Sequence, residues 1–384
     1  MRRFLLLLPA FAAALLLAAP IAGAQARPAV DAGAYLVANG ATGEVILSEN
    51  ADERLAIASI TKLMTALVTL EHARPGERVT VPPVVSSVGE SSVYLRPGER
   101  LTVRDLLAAA LIQSANDAAF ALAAHVGDGS VRRFVRMMNA TARRLGLSET
   151  RFVRPDGLDV EGHASSATDV LTLAREAMRR PLIRELVRSE TRTIAGGRAL
   201  FTWNDLLGRF PGLVGVKTGH TAAAGWSQVA AARRDGVLVY AVVLGGPSRA
   251  QRNADVAELL RWGLDQYVRL PVVAPGRTYA TAAVPFSDRR LALVAGAPAQ
   301  AVVLSGRSLV ETVVAPAVVD LPVRRGQRLG EVRVEEAGRV LARRPLVAAE
   351  DVGDAKFGAR AGWYADRTLD EAGAILSDVF GAIL

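Results

Sequence analysis

The chain is almost without lysine. Of its 46 lysines and arginines only Lys62, Lys217 and Lys356 are lysine, and every other cation is an arginine. The two side chains differ in one decisive respect: arginine keeps its proton in a protein, whereas a buried lysine can lose it and act as a base. A lysine kept against such a background points to a place where arginine would not serve. Two of the three sit in short motifs. Lys62 closes Ser59-Ile60-Thr61-Lys62, and Lys217 opens Lys217-Thr218-Gly219.

Ser59 and Lys62 are three positions apart, so on a helix they share one face and their functional atoms can meet. A neutral Lys62 amine could then take the Ser59 hydroxyl proton and leave an alkoxide-like nucleophile. A serine near a helix N-terminus also meets backbone N–H groups and the positive end of the helix dipole, both of which favour developing negative charge. Ser114-Ala115-Asn116 offers a second hydroxyl and an amide between two helices. Gly219 would let a substrate backbone come close to the Lys217 strand. Taken singly, the first two motifs are weak signals and Lys217-Thr218-Gly219 at a strand end is a more specific one.

The elements that must hold them follow from periodicity. Residues 34–37 and 44–48 read as two strands joined by the turn-rich Asn39-Gly40-Ala41-Thr42-Gly43. Residues 58–71 are helical, with Ser59 at the start and Ile57, Ile60, Leu63, Met64 and Leu67 supplying an apolar surround for Lys62. Residues 103–112, 117–125, 131–145 and 168–178 are helical, with Asp105 and Asp169 placed as first-turn residues. Strand patterns return at 212–217, with the Lys217 motif at the strand end, and at 225–232 and 237–244, and residues 249–268 read as a helix. Strands at both ends with helices between them predict an α+β (α/β) fold: an antiparallel sheet flanked by helices, with an inserted helical subdomain.

The three motifs, in this order on a short helix, a loop and a strand, match the set found in penicillin-binding proteins and serine β-lactamases. The sequence resembles the D-alanyl-D-alanine carboxypeptidase family, the low-molecular-weight penicillin-binding proteins. The likeness spans residues 34–267 and includes Gln113-Ser114-Ala115-Asn116-Asp117-Ala118, Asp156-Gly157-Leu158, and Lys217-Thr218-Gly219-His220-Thr221 followed by Ala224-Gly225. The resemblance implies a β-lactamase/transpeptidase-like fold and a set of roles. Ser59 would be the nucleophile, Lys62 its base, and Ser114 the relay of a proton to the leaving group. Asn116 would bond the substrate amide, and Lys217 would supply positive potential. Thr218, helped by Arg252, would hold the terminal carboxylate, and the oxyanion would meet the backbone N–H groups of Ser59 and His220. By the same resemblance the substrates are peptidoglycan stem peptides ending in D-Ala-D-Ala, and β-lactam antibiotics are inhibitors.

Composition sets the remaining bounds. At 384 residues, 51% hydrophobic and 22% charged, the chain is globular. It has no cysteine, which excludes disulfides, thiolate metal sites and a cysteine nucleophile. His72, His125 and His163 show no metal-ligand spacing, so neither metal nor other cofactor is expected. Met1-Arg2-Arg3, the apolar run to Ala19 and the small residues ending at Ala24 read as a signal peptide, residues 1–24. The chain is therefore expected outside the cytoplasm, in the periplasm or on the outer face of the cytoplasmic membrane. The net charge of +8 suits anionic lipid or wall polymer, while the scattered basic residues and export argue against nucleic acid.

The catalytic domain is expected over residues 25–269. Short strands and frequent Gly and Pro after Leu270-Pro271 predict a small all-β domain over 270–350. Residues 351–384 read as a linker and an amphipathic helix over 364–384, which either contacts a membrane surface or packs on the protein. Two rival functions are a serine β-lactamase and a non-catalytic penicillin- or wall-binding module. The first would need a water-activating glutamate on a loop between the second and third motifs, and no Glu-x-x-Leu-Asn pattern occurs in residues 151–210.

Overall fold

A computed structural model describes residues 10–18, 26–356 and Trp363. The chain divides into two compact units. One is Gln25–Gln266; the other joins Tyr267–Leu384 to Met1–Ala24.

In the first unit, Ala34–Asn39 (β1) and Val45–Glu49 (β2) form a hairpin that joins three late strands, Leu213–Thr221 (β3), Gly225–Arg234 (β4) and Val237–Gly246 (β5). The strand order is β2-β1-β5-β4-β3, and every pairing is antiparallel. The helices lie between these two groups in the chain: Lys62–His72 (α1), Val103–Leu111 (α2), Asn116–Val126 (α3), Val131–Arg144 (α4), Ala167–Ala177 (α5) and Pro181–Val187 (α6). Arg249–Asp265 (α7) follows the sheet. This is the antiparallel sheet with inserted helices that the order of periodicities predicted.

The helix starts follow local chemistry. Thr102 and Asp105 form a reciprocal capping box at α2, and Ser166 accepts from the amide of Asp169 at α5. The polar side chain thus satisfies a backbone N–H that the first helical turn leaves without an intrahelical partner. Ile57, Ile60, Leu63, Met64 and Leu67 are all fully buried in one continuous core, each removing enough apolar surface from water to stabilise by about 1.5–3 kcal/mol.

Three local expectations are corrected. Residues 58–71 are not one helix: Ala58–Thr61 is a 3-10 turn, and the α-helix starts at Lys62. The Lys217 motif is not at a strand end, because β3 continues through Thr221 in register with β4. The helix expected to reach residue 268 stops at Asp265, since Tyr267–Val273 (β6) pairs with a later strand.

The second unit is built of β6, Thr278–Ala283 (β7), Arg290–Ala295 (β8), Ala299–Leu304 (β9), Ser308–Pro316 (β10), Arg328–Glu336 (β11) and Arg339–Ala348 (β12). It has its own core, centred on Leu291, Leu293, Val332, Val334 and Leu346. The unit begins at Tyr267, just ahead of the Leu270-Pro271 boundary read from sequence. Its main sheet runs β10-β11-β12-β8-β7, and the apolar segment Ala10–Ala18 lies antiparallel along β10, Ala10 opposite Pro316 and Ala18 opposite Ser308. The sequence reading had made no strand of that segment. The helix expected over 364–384 lies outside the described residues. Among those residues, no helix is long and apolar enough to cross a membrane.

Candidate active site

Ser59 sits in the 3-10 turn and Lys62 opens α1, so the turn and the first helical residue bring the two side chains together. Lys62 is fully buried, and its Nζ lies 2.7 Å from Ser59 Oγ, 2.7 Å from Asn116 Oδ1 and 2.7 Å from the carbonyl oxygen of Asp156. Burial lowers the pKa of this amine to about 7, against a smaller opposing pull from the Asp156 carboxylate. The geometry then has a definite protonic reading. A neutral amine has two N–H groups and one lone pair. Asn116 Oδ1 and the Asp156 carbonyl can only accept, so they take the two N–H groups, and the lone pair is left for the Ser59 hydroxyl.

The Asp156 carbonyl is itself held in place. Its carboxylate, fully buried, takes a bidentate ion pair from Arg154 at 2.5 and 2.8 Å. Pro155 accepts from Thr65 Oγ1, which ties this loop to α1. Next in the chain, Gly157 (φ 88°) lies where any Cβ would collide with the carbonyl of Ala58. His163 completes the support: Thr61 Oγ1 is 2.8 Å from its Nε2, and the Val153 amide donates to its Nδ1. That assigns the ring proton to Nε2. Burial pushes His163 down to about 4, so it is a neutral structural group.

Ser114 and Asn116 flank the start of α3. Ser114 has φ 65°, and Ala58 beside the nucleophile has φ 47°; both are left-handed conformations costly for a residue with a side chain. Asn116 spends one amide hydrogen on the Gly89 carbonyl, and among the described residues the other has no partner. Buried Asp117 accepts from Ser92 Oγ and from the amides of Val93 and Leu95, which fixes the loop carrying Glu90 and Ser91 against α3.

The opposite wall is β3. Lys217 Nζ, buried, donates to Ser114 Oγ and to its neighbour's carbonyl, Thr218 O, each at 2.9 Å. Burial pulls its pKa well below the ordinary lysine value, and the nearby cations Lys62 and Arg252 add to the shift. Gly219 is what lets this wall approach: a Cβ there would stand 2.8 Å from the Ile57 carbonyl oxygen and 3.1 Å from the Ser59 amide nitrogen. The His220 ring is exposed and stacks on Trp226, centroids 3.9 Å apart, so it makes no contact that would identify it as a base. Arg252 is almost fully buried, bonded to Asn253 Oδ1 and paired with Asp205 at 3.4 Å. Burial lowers its pKa to about 10, which leaves it cationic at neutral pH.

These walls enclose a cleft of about 250 Å³. Ser59, Ser114, Asn116, Thr218, Gly219, His220 and Arg252 line it, and Lys62 and Lys217 join it through their bonds to the two serines. The nine residues expected at the site are therefore in one place. The sequence reading missed Arg249, Trp203 and Trp226, which also line the cleft. Arg249 had a signal, since it lies three positions before Arg252 on one helix face. It pairs bidentately with Asp205 at 2.7 and 2.5 Å and lies over Trp203. Trp203 had none. Among the described residues no group of histidine and carboxylate side chains could hold a metal ion.

Comparison with known proteins adds a family. The family model described as D-alanyl-D-alanine carboxypeptidase matches residues 21–248. The chain is 32% identical over 329 residues to D-alanyl-D-alanine carboxypeptidase DacF of Bacillus subtilis, covering 82% of this chain and 84% of that protein. It is 30% identical over 376 residues to DacC of Escherichia coli, covering 91% and 92%. Among solved structures, penicillin binding protein 5 from Haemophilus influenzae aligns at TM-score 0.63 and 26% identity, over 86% of this chain and all of that one. The ampicillin-bound penicillin-binding protein D2 of Listeria monocytogenes aligns at TM-score 0.56 and 34% identity, over 62% of this chain and 100% of that one.

Proposed function

The chain belongs to the D-alanyl-D-alanine carboxypeptidase family, and from that premise we propose that Ser59, with Lys62 as its base, removes the terminal D-alanine from peptidoglycan stem peptides ending in D-Ala-D-Ala. The observation that carries the reading is the set of three bonds at Lys62 Nζ, which leaves a lone pair facing Ser59 Oγ.

The steps follow from the positions of the groups. Lys62 takes the Ser59 proton as Oγ attacks the penultimate D-Ala carbonyl carbon. Negative charge on that carbonyl oxygen is met by the backbone N–H groups of Ser59 and His220. The proton taken by Lys62 is returned through Ser114, which is bonded to Lys217, to the nitrogen of the terminal D-alanine; the C–N bond breaks and Lys62 is a neutral amine again. Water then attacks the acyl-enzyme with Lys62 again accepting a proton, and Ser59 is restored. The Thr218 hydroxyl and the guanidinium groups of Arg249 and Arg252 face the terminal carboxylate, and the free amide hydrogen of Asn116 meets the substrate backbone. β-Lactams present the same acyl chemistry and acylate Ser59.

Export through a leader cut after Ala24 belongs to the same reading, and places the enzyme in the periplasm or on the outer face of the membrane. That cleavage would remove Ala10–Ala18 and leave β10 at the edge of its sheet. In this reading the catalytic domain is residues 25–269 and the all-β domain residues 270–350, while the sequence of residues 351–384 suits a linker and an amphipathic helix that either contacts a membrane surface or packs on the protein.

One experiment tests the core of the proposal. Incubation with benzylpenicillin followed by peptide mass spectrometry should place a covalent adduct on Ser59, and D-alanine should appear from a D-Ala-D-Ala peptide. Rapid penicillin turnover without D-alanine release would reject it.

A further inference from the structure

A larger cavity, of about 710 Å³, lies in the same unit and shares no lining residue with the Ser59 cleft. Five arginines line it, Arg175, Arg179, Arg184, Arg188 and Arg233, against a single carboxylate, Glu176. The fold spends little of that charge. Among the described residues Arg175 donates only to the carbonyls of Gly40 and Ala41, at 3.2 and 3.1 Å. Arg184 donates to the carbonyls of Met178 and Arg179, at 2.7 and 2.9 Å, and Arg233 to that of Gly236 at 3.4 Å. A carbonyl satisfies a donor without cancelling its charge. Among the described residues Glu176 pairs only with Arg179, at 3.6 Å, and Arg180, at 4.0 Å.

Two further features make this a built site rather than a charged surface. Gly43 (φ 82°) leaves the β1–β2 turn without a side chain at the place the Arg175 guanidinium occupies. Tyr240, from β5, is 2% exposed, lines the cavity, and makes no side-chain hydrogen bond among the described residues. The ring is buried but the hydroxyl opens onto the cavity, where an acceptor oxygen can take its hydrogen bond. Arg175, Arg184 and Arg233 all act electrostatically on that hydroxyl, yet burial pushes it up to about 12, so it remains an O–H donor.

We propose that this cavity binds a phosphate-bearing anion of two or more charges, held by Arg175, Arg184, Arg188 and Arg233 with Tyr240 donating to one of its oxygens. The donor set selects the class. A lone carboxylate has two coplanar oxygens and one charge, which one bidentate guanidinium satisfies. A phosphate group offers oxygens in several directions and can meet several guanidinium groups and a hydroxyl together.

The test is calorimetric titration of the full chain with inorganic pyrophosphate at low salt, with acetate in parallel. Saturable pyrophosphate binding well above that of acetate is expected. Arg188→Gln, Arg233→Gln and Tyr240→Phe should each weaken it by about fivefold or more. Arg188 and Arg233 are exposed, so their replacement tests the site even if Tyr240→Phe unfolds the protein. Arg249→Gln, in the other cleft, should leave the affinity unchanged. Sedimentation with phosphatidic acid vesicles, sensitive to the same variants, would assign the phosphate to a lipid phosphomonoester; insensitivity with pyrophosphate binding intact would assign it to a soluble ester. Equal affinity for acetate, or binding lost in Arg249→Gln and kept in Arg188→Gln and Arg233→Gln, would overturn the proposal.

Discussion

Lys217 Nζ stands 2.9 Å from Ser114 Oγ, although 103 positions separate the two in the chain. The contact bridges the helical insertion and the sheet across the cleft. It gives the Ser114 hydroxyl a fixed donor, so that its own proton is free to point into the cleft. Ser114→Ala removes that hydroxyl and leaves the Lys217 amine buried with only the Thr218 carbonyl. D-alanine release should fall by about 10²–10⁴-fold, the usual worth of a positioned proton donor. Steady-state kcat, with circular dichroism to confirm folding, checks this; a kcat within twofold of wild type would remove Ser114 from the proton path.

The base makes a prediction about pH. The active form of Lys62 is the neutral amine, and its pKa is about 7. Below pH 7 the amine is protonated and cannot accept from Ser59; above it the base is available. The free-enzyme profile, kcat/KM or the rate of penicillin acylation, should therefore rise as pH increases through about 7 and then level. Lys62→Arg keeps a permanent proton at the same place and should cost about 10³-fold or more in acylation at every pH. A rate independent of pH between 5 and 9 would show that another group takes the proton.

Gly219→Ala separates closeness from chemistry. The new Cβ would meet the Ile57 carbonyl and the Ser59 amide, both backbone atoms that cannot swing aside. β3 must move away from the 3-10 turn, widening the gap between Ser59 and the strand that carries Lys217 and Thr218. A displacement of about 1 Å at reacting groups can cost 10²-fold in rate. The expected result is a large fall in kcat/KM with a small change in melting temperature. Equal losses in both would mean that Gly219 serves packing alone.

What could be read from the sequence was whatever local spacing encodes. Ser59 and Lys62 are three apart, Asp105 and Asp169 read as first-turn residues of their helices, and strands at both ends with helices between them predicted the antiparallel sheet. The break between the 3-10 turn and α1 was not legible, because it depends on Gly157 and Gly219 packing against residues 57–61 from distant parts of the chain. The Asp156 carbonyl could not have been foreseen at all, since a backbone acceptor has no residue type to betray it. Arg154 looked like one arginine among many, and only the fold shows it neutralising a buried carboxylate. The extension of β3 past its lysine was hidden for a related reason: pairing with β4 continues through Thr221, whatever the polarity of the side chains.

His163 links the site to acid stability. Its neutral ring accepts the Val153 amide at Nδ1 and leaves the Nε2 proton for Thr61, two positions from Ser59. Protonation would put an N–H at Nδ1 facing the Val153 N–H, a donor against a donor, in a place that burial already makes hostile to charge. The folded pKa of about 4 lies below the ordinary value of 6.5. Between those values the unfolded chain binds a proton that the folded chain does not, so the contribution of His163 to stability falls as pH drops from 6.5 and is exhausted near 4. The gap corresponds to a loss on the order of 3 kcal/mol. His163→Gln cannot take up that charge. It should be less stable than wild type at pH 7, for want of one ring contact, yet lose less between pH 7 and pH 4.5. Urea unfolding of both proteins at the two pH values measures the difference. Parallel losses would show that acid sensitivity resides in the carboxylates and that the His163 ring accepts its proton without opening the turn that carries Ser59.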